Sequence, residues 1–319
     1  MGGVIITADG VLPEPPEFDD LTWLKARSCN RYEPMFFEWF RFVGQLTWFT
    51  YSISEESQGF RNIESVDLKV LQGMLNRCSR LMLSHMALSH DHKFGETTAI
   101  LDRCIFETSV KVRWICSADD PEDRFRRFKA DGLKNDLKLK REIDANIEAR
   151  GSAEPIEERM LRSISNYVAL SGLSEDEVED TQKQPNLRAM MEDIGLSDLS
   201  YVVFQNLGSH HVHGTWSSLL LHYLEPDFEA KTLELRDHDC MADQNTYAAT
   251  ALMVLKANRD YLDFVLREGS EEFRDDMIGL MDDTYAEIFE LLREAGETKT
   301  RLHQSAWFYL TFNNPLSSS

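Results

Sequence analysis

The chain of 319 residues, 42% hydrophobic and 10% aromatic, carries enough apolar side chains for a sizeable core. Its 34 Lys and Arg residues are outnumbered by 55 Asp and Glu residues, and the net charge of -21 disfavours broad binding to nucleic acid because it repels phosphate groups. The sequence shows neither a signal-peptide pattern nor an apolar run of about 18 residues, so no membrane span is predicted. The 5 cysteines are dispersed without a C-x-x-C pair, which indicates a reducing compartment, and we expect a cytoplasmic protein.

The beginning of the chain divides into a proline-rich arm and an aromatic segment. Residues 1–32, which include Pro13, Pro15 and Pro16, are predicted to form an extended arm. Residues 33–52, EPMFFEWFRFVGQLTWFTYS, have aromatic side chains at helical spacing. This spacing is typical of a core helix, whereas an exposed aromatic face would bind a partner or a second copy of the chain.

Two helices with strong apolar patterns follow. Residues 65–90 repeat apolar side chains every 3.6 positions, which predicts an amphipathic helix. Residues 97–117, TTAILDRCIFETSVKVRWICS, are apolar around most of the helix, and this pattern predicts the central helix of a bundle. The same helix contains Asp102, Arg103 and Glu107, and charged side chains seldom lie inside a core without partners. It is therefore either a core helix with polar edges or the floor of a polar site.

A long helix with a basic excess is predicted over residues 121–149. Asp120 is a suitable N-cap, Pro121 fits the first helical position, and Gly151 ends the pattern. Between residues 124 and 141, basic side chains clearly outnumber acidic ones. We interpret this excess as a candidate surface for RNA or a nucleotide; the alternative is a solvated face that pairs with acidic residues of the same chain.

The rest of the chain is mainly helical by pattern. The predicted elements are a helix over 155–172, an acidic loop or short lid over 173–186, a short helix over 187–195, one candidate strand over 227–239, and helices over 243–268 and 271–295. We expect an all-α protein in which residues 33–296 form a single multi-helix bundle, with the extended arm before it and a tail over 297–319. Aromatic residues at 305–312 give this tail, like residues 33–52, a candidate surface for a homo-oligomer.

Common catalytic and cofactor motifs are absent from the sequence. It contains no G-x-S-x-G, G-x-x-x-x-G-K-[ST], G-x-G-x-x-G or H-E-x-x-H. Residues 209–214, SHHVHG, concentrate histidines, but the ligand spacings of known zinc and di-iron sites are missing. We therefore assign no metal and no cofactor.

A polar trio is the strongest candidate site. Arg103 and Glu107 are one helical turn apart, so their side chains share a face. They form either a structural ion pair or a site in which Arg103 holds an anionic group and Glu107 accepts a proton or orients a histidine. His213 is the candidate acid or base because imidazole titrates near neutral pH.

A further pattern points weakly towards ribonucleases. Arg80 and His85 have the R-x4-H spacing used by HEPN-type helical ribonucleases. In a chain with 9 histidines this spacing arises readily by chance, and both residues lie on the predicted apolar stripe or its rim. The spacing alone therefore does not predict a ribonuclease.

The block AILDRCIFETSVKVRWICSADDPEDRFRRFKADGLKNDLKLKRE, residues 99–142, resembles the signature of the domain of unknown function 5677 family, a family of bacterial all-helical domains. The residues that match an Arg-x-x-x-Glu helix and a D-P-E-[ED]-R cap, in order, are Arg103, Phe106, Glu107, Asp120, Pro121, Glu122, Asp123 and Arg124. Those that match a later Tyr and a Ser-x-x-V-H element are Tyr201, Ser209, Val212 and His213, with His211 in place of the usual aromatic residue. The resemblance spans about residues 65–225 and implies an all-helical fold that groups Arg103, Glu107 and His213, but it implies no reaction.

Two functional hypotheses follow. In the first, the chain is a defence or toxin-like effector, a phosphodiesterase or ribonuclease-like hydrolase that acts on RNA or a nucleotide through the catalytic residues Arg103, Glu107 and His213. The ligand-binding residues predicted for this site are Tyr201, Ser209, His211, Arg124 and Arg127. In the alternative, the chain is a non-catalytic interaction or oligomerisation module, and the polar trio is purely structural.

Overall fold

The computed structural model describes residues 11–89, 94–197, 201, 209–236, 244–266 and 271–299. The helices that we number are α1 (Asp20–Cys29), α2 (Glu33–Tyr51), α3 (Ser65–Ser89), α4 (Gly95–Cys116), α5 (Pro121–Arg150), α6 (Pro155–Ser171), α7 (Glu175–Asp180), α8 (Leu187–Asp193), α9 (Trp216–His222), α10 (Gln244–Val265) and α11 (Glu271–Lys299). One antiparallel hairpin joins β1 (Leu224–Asp227) to β2 (Thr232–Leu235). The predicted all-α class is confirmed. In the described ranges, each helix is too short or too polar to cross a bilayer.

Local signals in the sequence set the ends of the long helices. The Asp120 carboxylate accepts a hydrogen bond from the N–H of Asp123 at 3.3 Å, and Pro121 begins α5. Gly151 and Gly172 follow α5 and α6 in the left-handed conformation, with φ of 83° and 75°. The ends predicted from these residues are confirmed.

Two helices form where the sequence pattern predicted none. α1 lies within residues 1–32, the predicted extended arm, and begins where the Asp19 carboxylate accepts the N–H of Thr22 at 2.8 Å. α7 lies within the predicted acidic loop. Ser174 and Glu177 each accept the other's backbone N–H in a capping box, which stabilises a short helix even where apolar periodicity is weak.

The hairpin takes the place of the single predicted strand. β2 falls inside residues 227–239, and it pairs with the preceding β1 so that Asp227 lies opposite Thr232. The Asp227 carboxylate also accepts the N–H groups of Glu229 and Ala230, both at 2.9 Å, and so closes the turn. β1 is only four residues long and contains a proline, so its own residues are a weak strand signal.

The chain forms two compact units. The first is drawn from Met1–Asn62, Leu71–Trp114 and Leu187–Ser319, and the second from Ile63–Val70 and Ile115–Asn186. In the first unit, α2 packs against α10, which also packs against α11. In the second unit, α5 packs against α6 and α7.

The aromatic helix α2 lies in the core of the first unit. Its most deeply buried side chains are Met35, Phe36, Phe40, Phe42, Val43 and Leu46. Asn258 of α10 donates a hydrogen bond from Nδ2 to Thr47 Oγ1 at 2.8 Å, which fixes the two helices where they meet. The core interpretation of residues 33–52 is confirmed, and these buried side chains are not available to a second chain. The aromatic segment 305–312 lies outside the described residues.

The second unit has its own small core between α5, α6 and α7. Its members are Ala130, Leu133, Leu137, Ile164, Val168 and Val178. Val178 is fully buried and holds the acidic helix α7 against α5. This anchor places the carboxylates of α7 beside basic side chains of α5.

Several basic side chains of α5 are paired with oxygen atoms of the same unit. The contacts towards α7 and its C-terminal end are Lys134 to the Thr181 carbonyl at 2.6 Å, Lys140 to Glu175 at 2.5 Å, and Arg141 to Glu179 at 2.5 Å. Elsewhere, Arg127 pairs with Asp123 at 2.7 Å and Lys129 with Asp67 at 2.9 Å. For these residues the structure shows the alternative described above, a face paired with acidic groups of the same chain.

One half-buried lysine of the first unit lowers the stability of the protein. Lys256 of α10 lies with Nζ 4.9 Å from the ring centroid of Tyr285. Burial, aided by Arg113 and opposed by Asp260, lowers the pKa of Lys256 from 10.5 to about 8. The folded state therefore binds this proton less tightly than the unfolded state. The loss of stability caused by the charged Lys256 is therefore complete below about pH 8. It diminishes as the pH rises towards 10.5.

Lys256→Met is expected to raise the free energy of unfolding by about 2 kcal/mol at pH 7. Removal of the charge should stabilise the folded state by about 3 kcal/mol. Loss of the cation–π contact with Tyr285 should destabilise it by about 1 kcal/mol. Urea unfolding between pH 7 and 10 measures the change, and the variant should lose the rise in stability that begins near pH 8. Lys138→Met, at an exposed position of α5, is the control and should change neither quantity. A destabilised Lys256→Met protein would contradict this account.

Candidate functional site

Helix α4 places a carboxylate at the centre of a polar cluster. Glu96, in the first turn of α4, accepts hydrogen bonds from Ser218 Oγ and Tyr223 OH, both at 2.5 Å. Ser218 belongs to α9 and Tyr223 directly follows it, so α4 and α9 meet at this carboxylate. The histidine–glutamate cluster, as we name it, consists of Glu96, His211, Ser218, His222 and Tyr223.

Two imidazoles complete the histidine–glutamate cluster. Nε2 of His222 lies 3.1 Å from Nδ1 of His211, and the ring centroids are 4.9 Å apart. The same Nδ1 lies 3.3 Å from Ser218 Oγ. Ser218 and His222 are 0% and 6% exposed, His211 is half-buried, and Tyr223 is 49% exposed. The cluster is thus buried at one end and open to solvent at the other.

One arrangement of protons satisfies all of these contacts. The Ser218 hydroxyl has a single O–H group, which donates a hydrogen bond to Glu96. The Ser218 oxygen therefore accepts a hydrogen bond from the Nδ1–H group of His211. That Nδ1–H is shared with Nε2 of His222, which acts as an acceptor. His211 is then left with an unprotonated Nε2, the form that a general base requires. The tautomers are assigned from this chain of donors and acceptors.

The surroundings favour an ionised Glu96 and a neutral His211. Burial alone would raise the pKa of Glu96, but hydrogen bonds from Ser218 and Tyr223, together with His222 and His211, outweigh it, and the pKa lies below its ordinary value. Burial lowers the pKa of His211, and His222 adds to this effect although Glu96 opposes it. A neutral imidazole held by an ionised carboxylate through a serine is able to accept a proton at neutral pH.

A second polar group lies on another face of α4. Asp102 Oδ2 is 3.2 Å from Nε2 of His85, and Asp102 Oδ1 accepts the Thr250 hydroxyl at 3.0 Å. Nδ1 of His85 lies 3.2 Å from Ser89 Oγ, and its ring packs edge-on against Tyr247. The His85 side chain is 0% exposed. This group therefore joins α3, α4 and α10, and the histidine of the R-x4-H spacing is a core residue.

The structure joins two members of the predicted trio. Arg103 Nη2 lies 2.7 Å from Glu107 Oε1, and the two side chains are 15% and 33% exposed. Glu96, Arg103 and Glu107 lie along one face of α4, because steps of seven and four residues return to the same side of a helix. The predicted pair thus shares its helix face with the carboxylate of the histidine–glutamate cluster.

His213, the third predicted member, is exposed. Its backbone N–H donates to the carbonyl of Ser209 at 3.1 Å, within the turn that also carries His211. Among the described residues, its side chain has no hydrogen bond or ion pair with Arg103 or Glu107. The catalytic role of His213 stays a prediction. The hydrogen bonds to Glu96 of α4 come from Ser218 and Tyr223, which belong to the same cluster as His211.

The predicted ligand-binding residues are spread over both units. In the first unit, Tyr201 lies against Arg188, whose guanidinium carbon is 5.7 Å from the ring centroid. In the second unit, Arg124 donates to Ser117 Oγ at 3.1 Å, and Arg127 has the ion pair described above. Of the predicted ligand-binding residues, His211 belongs to the histidine–glutamate cluster.

Sequence reasoning missed the other members of the cluster. Ser218 and His222 are four residues apart, so their common helix face could be read from the spacing. Glu96 is separated by 122 residues from Ser218 and by 127 from Tyr223, and no local pattern predicts such contacts. Within the described part of the chain, no group of three His, Cys, Asp or Glu residues has the arrangement of a metal site.

Comparison with known protein families identifies a match over half of the chain. A family model described as "Family of unknown function (DUF5677)" matches residues 68–232. This span contains the whole histidine–glutamate cluster and the Arg103–Glu107 pair. No curated protein and no solved structure matches the chain.

Proposed function

This chain belongs to the family of unknown function DUF5677, and from that premise we propose that the histidine–glutamate cluster is the active site of a hydrolase for phosphodiester or nucleotide substrates. The observation that carries the proposal is the hydrogen-bonded chain from Glu96 through Ser218 to His211. A base that is held by a hydrogen bond, and oriented in turn by a third group, is the arrangement of general-base catalysis.

His211 supplies the proton acceptor in this proposal. Its Nε2 removes a proton from a water molecule or a ribose hydroxyl, and the oxygen attacks phosphorus. The bond to the leaving oxygen breaks, and that oxygen takes up a proton, which the imidazolium of His211 returns. Ser218 is not the nucleophile, because it is fully buried and its proton is already donated to Glu96. Glu96 is a positioning residue that orients His211 and stabilises its charged form.

Arg103 holds the anionic part of the substrate in this proposal. It lies seven residues beyond Glu96 on the same face of α4, which is about 10 Å along the helix axis. A guanidinium is a planar fork of N–H donors whose geometry suits phosphate oxygens, and the Arg103 guanidinium is held beside Glu107. Glu107 then fixes the orientation of Arg103.

The biological part of the proposal is the predicted role as a defence or toxin-like effector. An enzyme that degrades RNA or a nucleotide pool slows the growth of the cell that contains it. Expression of the intact chain should therefore inhibit growth more than expression of a His211→Gln variant at the same protein level. Equal growth at equal expression would remove the effector role and leave the chemistry to be tested separately.

The alternative, a non-catalytic interaction or oligomerisation module, is weakened by one finding. The aromatic side chains of α2 that would form its surface are largely buried in the first unit. The other surface, residues 305–312, lies outside the described residues. Light scattering on the full chain and on a chain truncated after residue 299 tests this alternative directly.

The test of the proposed chemistry uses the full chain and three substrate classes. Single-stranded RNA, a cyclic dinucleotide and a nucleoside triphosphate are incubated with the protein, and products are separated by chromatography. Glu96→Gln keeps the shape and an acceptor oxygen but removes the charge, so turnover should fall, although by less than the roughly 100-fold or more expected for loss of the base itself. Glu192→Gln, on the exposed face of α8, is the matched control and should leave turnover unchanged. No product from any class, or equal turnover of Glu96→Gln and the parent, would refute the proposal.

A further inference from the structure

A cavity of about 280 Å³ opens on the first unit, and none of its lining residues belongs to the histidine–glutamate cluster. Its walls are formed by Pro15, Pro16, Phe18, Trp23, Trp39, Leu291 and the side chain of Glu287. They come from the segment before α1, from α1 and α2, and from α11. The cavity is near the lower end of the roughly 300–1,000 Å³ range of small-molecule pockets, so it suits a small ligand rather than a protein segment.

Three aromatic rings form adjacent walls of this cavity. The Phe18 and Trp23 centroids are 6.5 Å apart at an interplanar angle of 87°, and the Phe18 and Trp39 centroids are 6.4 Å apart at 65°. All three rings line the cavity. The face of an aromatic ring carries negative electrostatic potential and attracts cations.

Negative side chains lie in and beside the lining of the cavity, and they would also attract a cation. Glu287 contributes an exposed carboxylate to the lining, and Glu14 and Glu17 flank the two prolines on the N-terminal segment. The described lining residues include neither Lys nor Arg. The ring of Trp23 already attracts one cation of the chain, since the Arg27 guanidinium carbon lies 4.9 Å from its centroid. Arg27 itself is outside the lining and pairs with Glu294 at 2.6 Å.

We propose that this pocket binds a small quaternary ammonium ion, with the methyl groups against Phe18, Trp23 and Trp39 and the charge balanced by Glu287. A primary ammonium has three N–H donors that need acceptors, and the lining offers mainly rings and one carboxylate. A methylated nitrogen has no such donors, and its weakly hydrated charge favours aromatic walls. This inference does not depend on the proposed hydrolase function.

The test compares choline with 3,3-dimethylbutan-1-ol, which has the same shape without the charge. Titration calorimetry on the full chain, supported by tryptophan fluorescence, should show choline binding and affinity for the alcohol at least roughly fivefold weaker. Trp23→Leu should weaken choline binding by a similar factor or more, whereas Trp23→Phe keeps a ring and should retain most of it. Glu287→Gln should weaken choline binding and leave the alcohol unaffected.

Trp48→Leu is the matched control, because Trp48 is a 38% exposed tryptophan outside the lining. It should bind choline like the parent. Circular dichroism and thermal unfolding establish that each variant is folded before binding is compared. Equal affinities for choline and the alcohol would show an apolar pocket without preference for a cation and overturn the proposal. So would undetectable choline binding by the folded parent at millimolar concentration.

Discussion

Replacing His211 with glutamine should lower hydrolytic turnover by about 100- to 10,000-fold, the usual contribution of a positioned general base. Glutamine keeps a polar group of similar length beside Ser218 and His222, but it has no nitrogen that accepts a proton. The quantity to measure is kcat on whichever substrate class the parent hydrolyses. The substrate KM should change much less, because His211 acts on the transferred proton rather than on the anionic group.

His213→Gln is the matched control for this prediction and also decides between two assignments. It makes the same chemical change two residues away, at an exposed side chain. If the cluster is the active site, His213→Gln keeps near-parental turnover. If His213→Gln loses activity and His211→Gln does not, the assignment from the sequence is right and the histidine–glutamate cluster is structural.

The pH dependence of the reaction gives a second readout for the same residue. Burial, followed by His222, lowers the pKa of His211 from its ordinary value of 6.5, so His211 remains an unprotonated base as the pH falls through 6.5. The acidic limb of kcat/KM should therefore lie below pH 6.5. His222→Gln removes one of the lowering effects and should move this limb to higher pH.

Asp102→Ala should lower the free energy of unfolding by about 1 to 3 kcal/mol, the usual cost of leaving buried hydrogen-bonding groups without their partner. The Asp102 and His85 side chains are 14% and 0% exposed. Without the carboxylate, His85 loses its Asp102 partner in the core and the Thr250 hydroxyl loses an acceptor. Equilibrium unfolding in urea measures the change.

The control for Asp102→Ala is Glu192→Ala. Glu192 forms an ion pair with Arg188 at 3.2 Å, and both side chains are more than half exposed. Its loss should cost about 0.5 kcal/mol or less. Asp102→Asn should fall between the two, since an amide oxygen still accepts a hydrogen bond from His85. Equal stability of Asp102→Ala and the parent would show that the group does not hold the three helices together.

The long helices could be predicted because their signals are local. α5 follows from Asp120 and Pro121 at its start and Gly151 after its end, all within reach of adjacent backbone groups. α1 and α7 were missed because a capping interaction, rather than an apolar stripe, defines each of them. The hairpin was predicted only in part, since the pairing of β1 depends on β2 rather than on its own sequence.

The candidate site also has parts that follow from local spacing and parts that depend on long-range packing. Arg103 and Glu107 were paired correctly because four residues on a helix determine which side chains meet. The meeting of Glu96 with Ser218 and Tyr223 depends on how distant segments pack, which no short spacing encodes. The histidine-rich turn was recognised, but spacing does not tell whether His211 or His213 is linked to Glu96 through Ser218.

The carboxylates that α7 holds against α5 act as tethered counterions. Nucleic acid normally gains affinity for a basic surface by liberating mobile ions into solution, and that entropy makes binding steeply dependent on salt. A polyanion that displaced Glu175 and Glu179 from Lys140 and Arg141 would instead expose groups that stay attached to the chain. Because few mobile ions would be released, the gain in entropy would be small. Binding of RNA to α5 should therefore be weak and should vary only slightly with ionic strength.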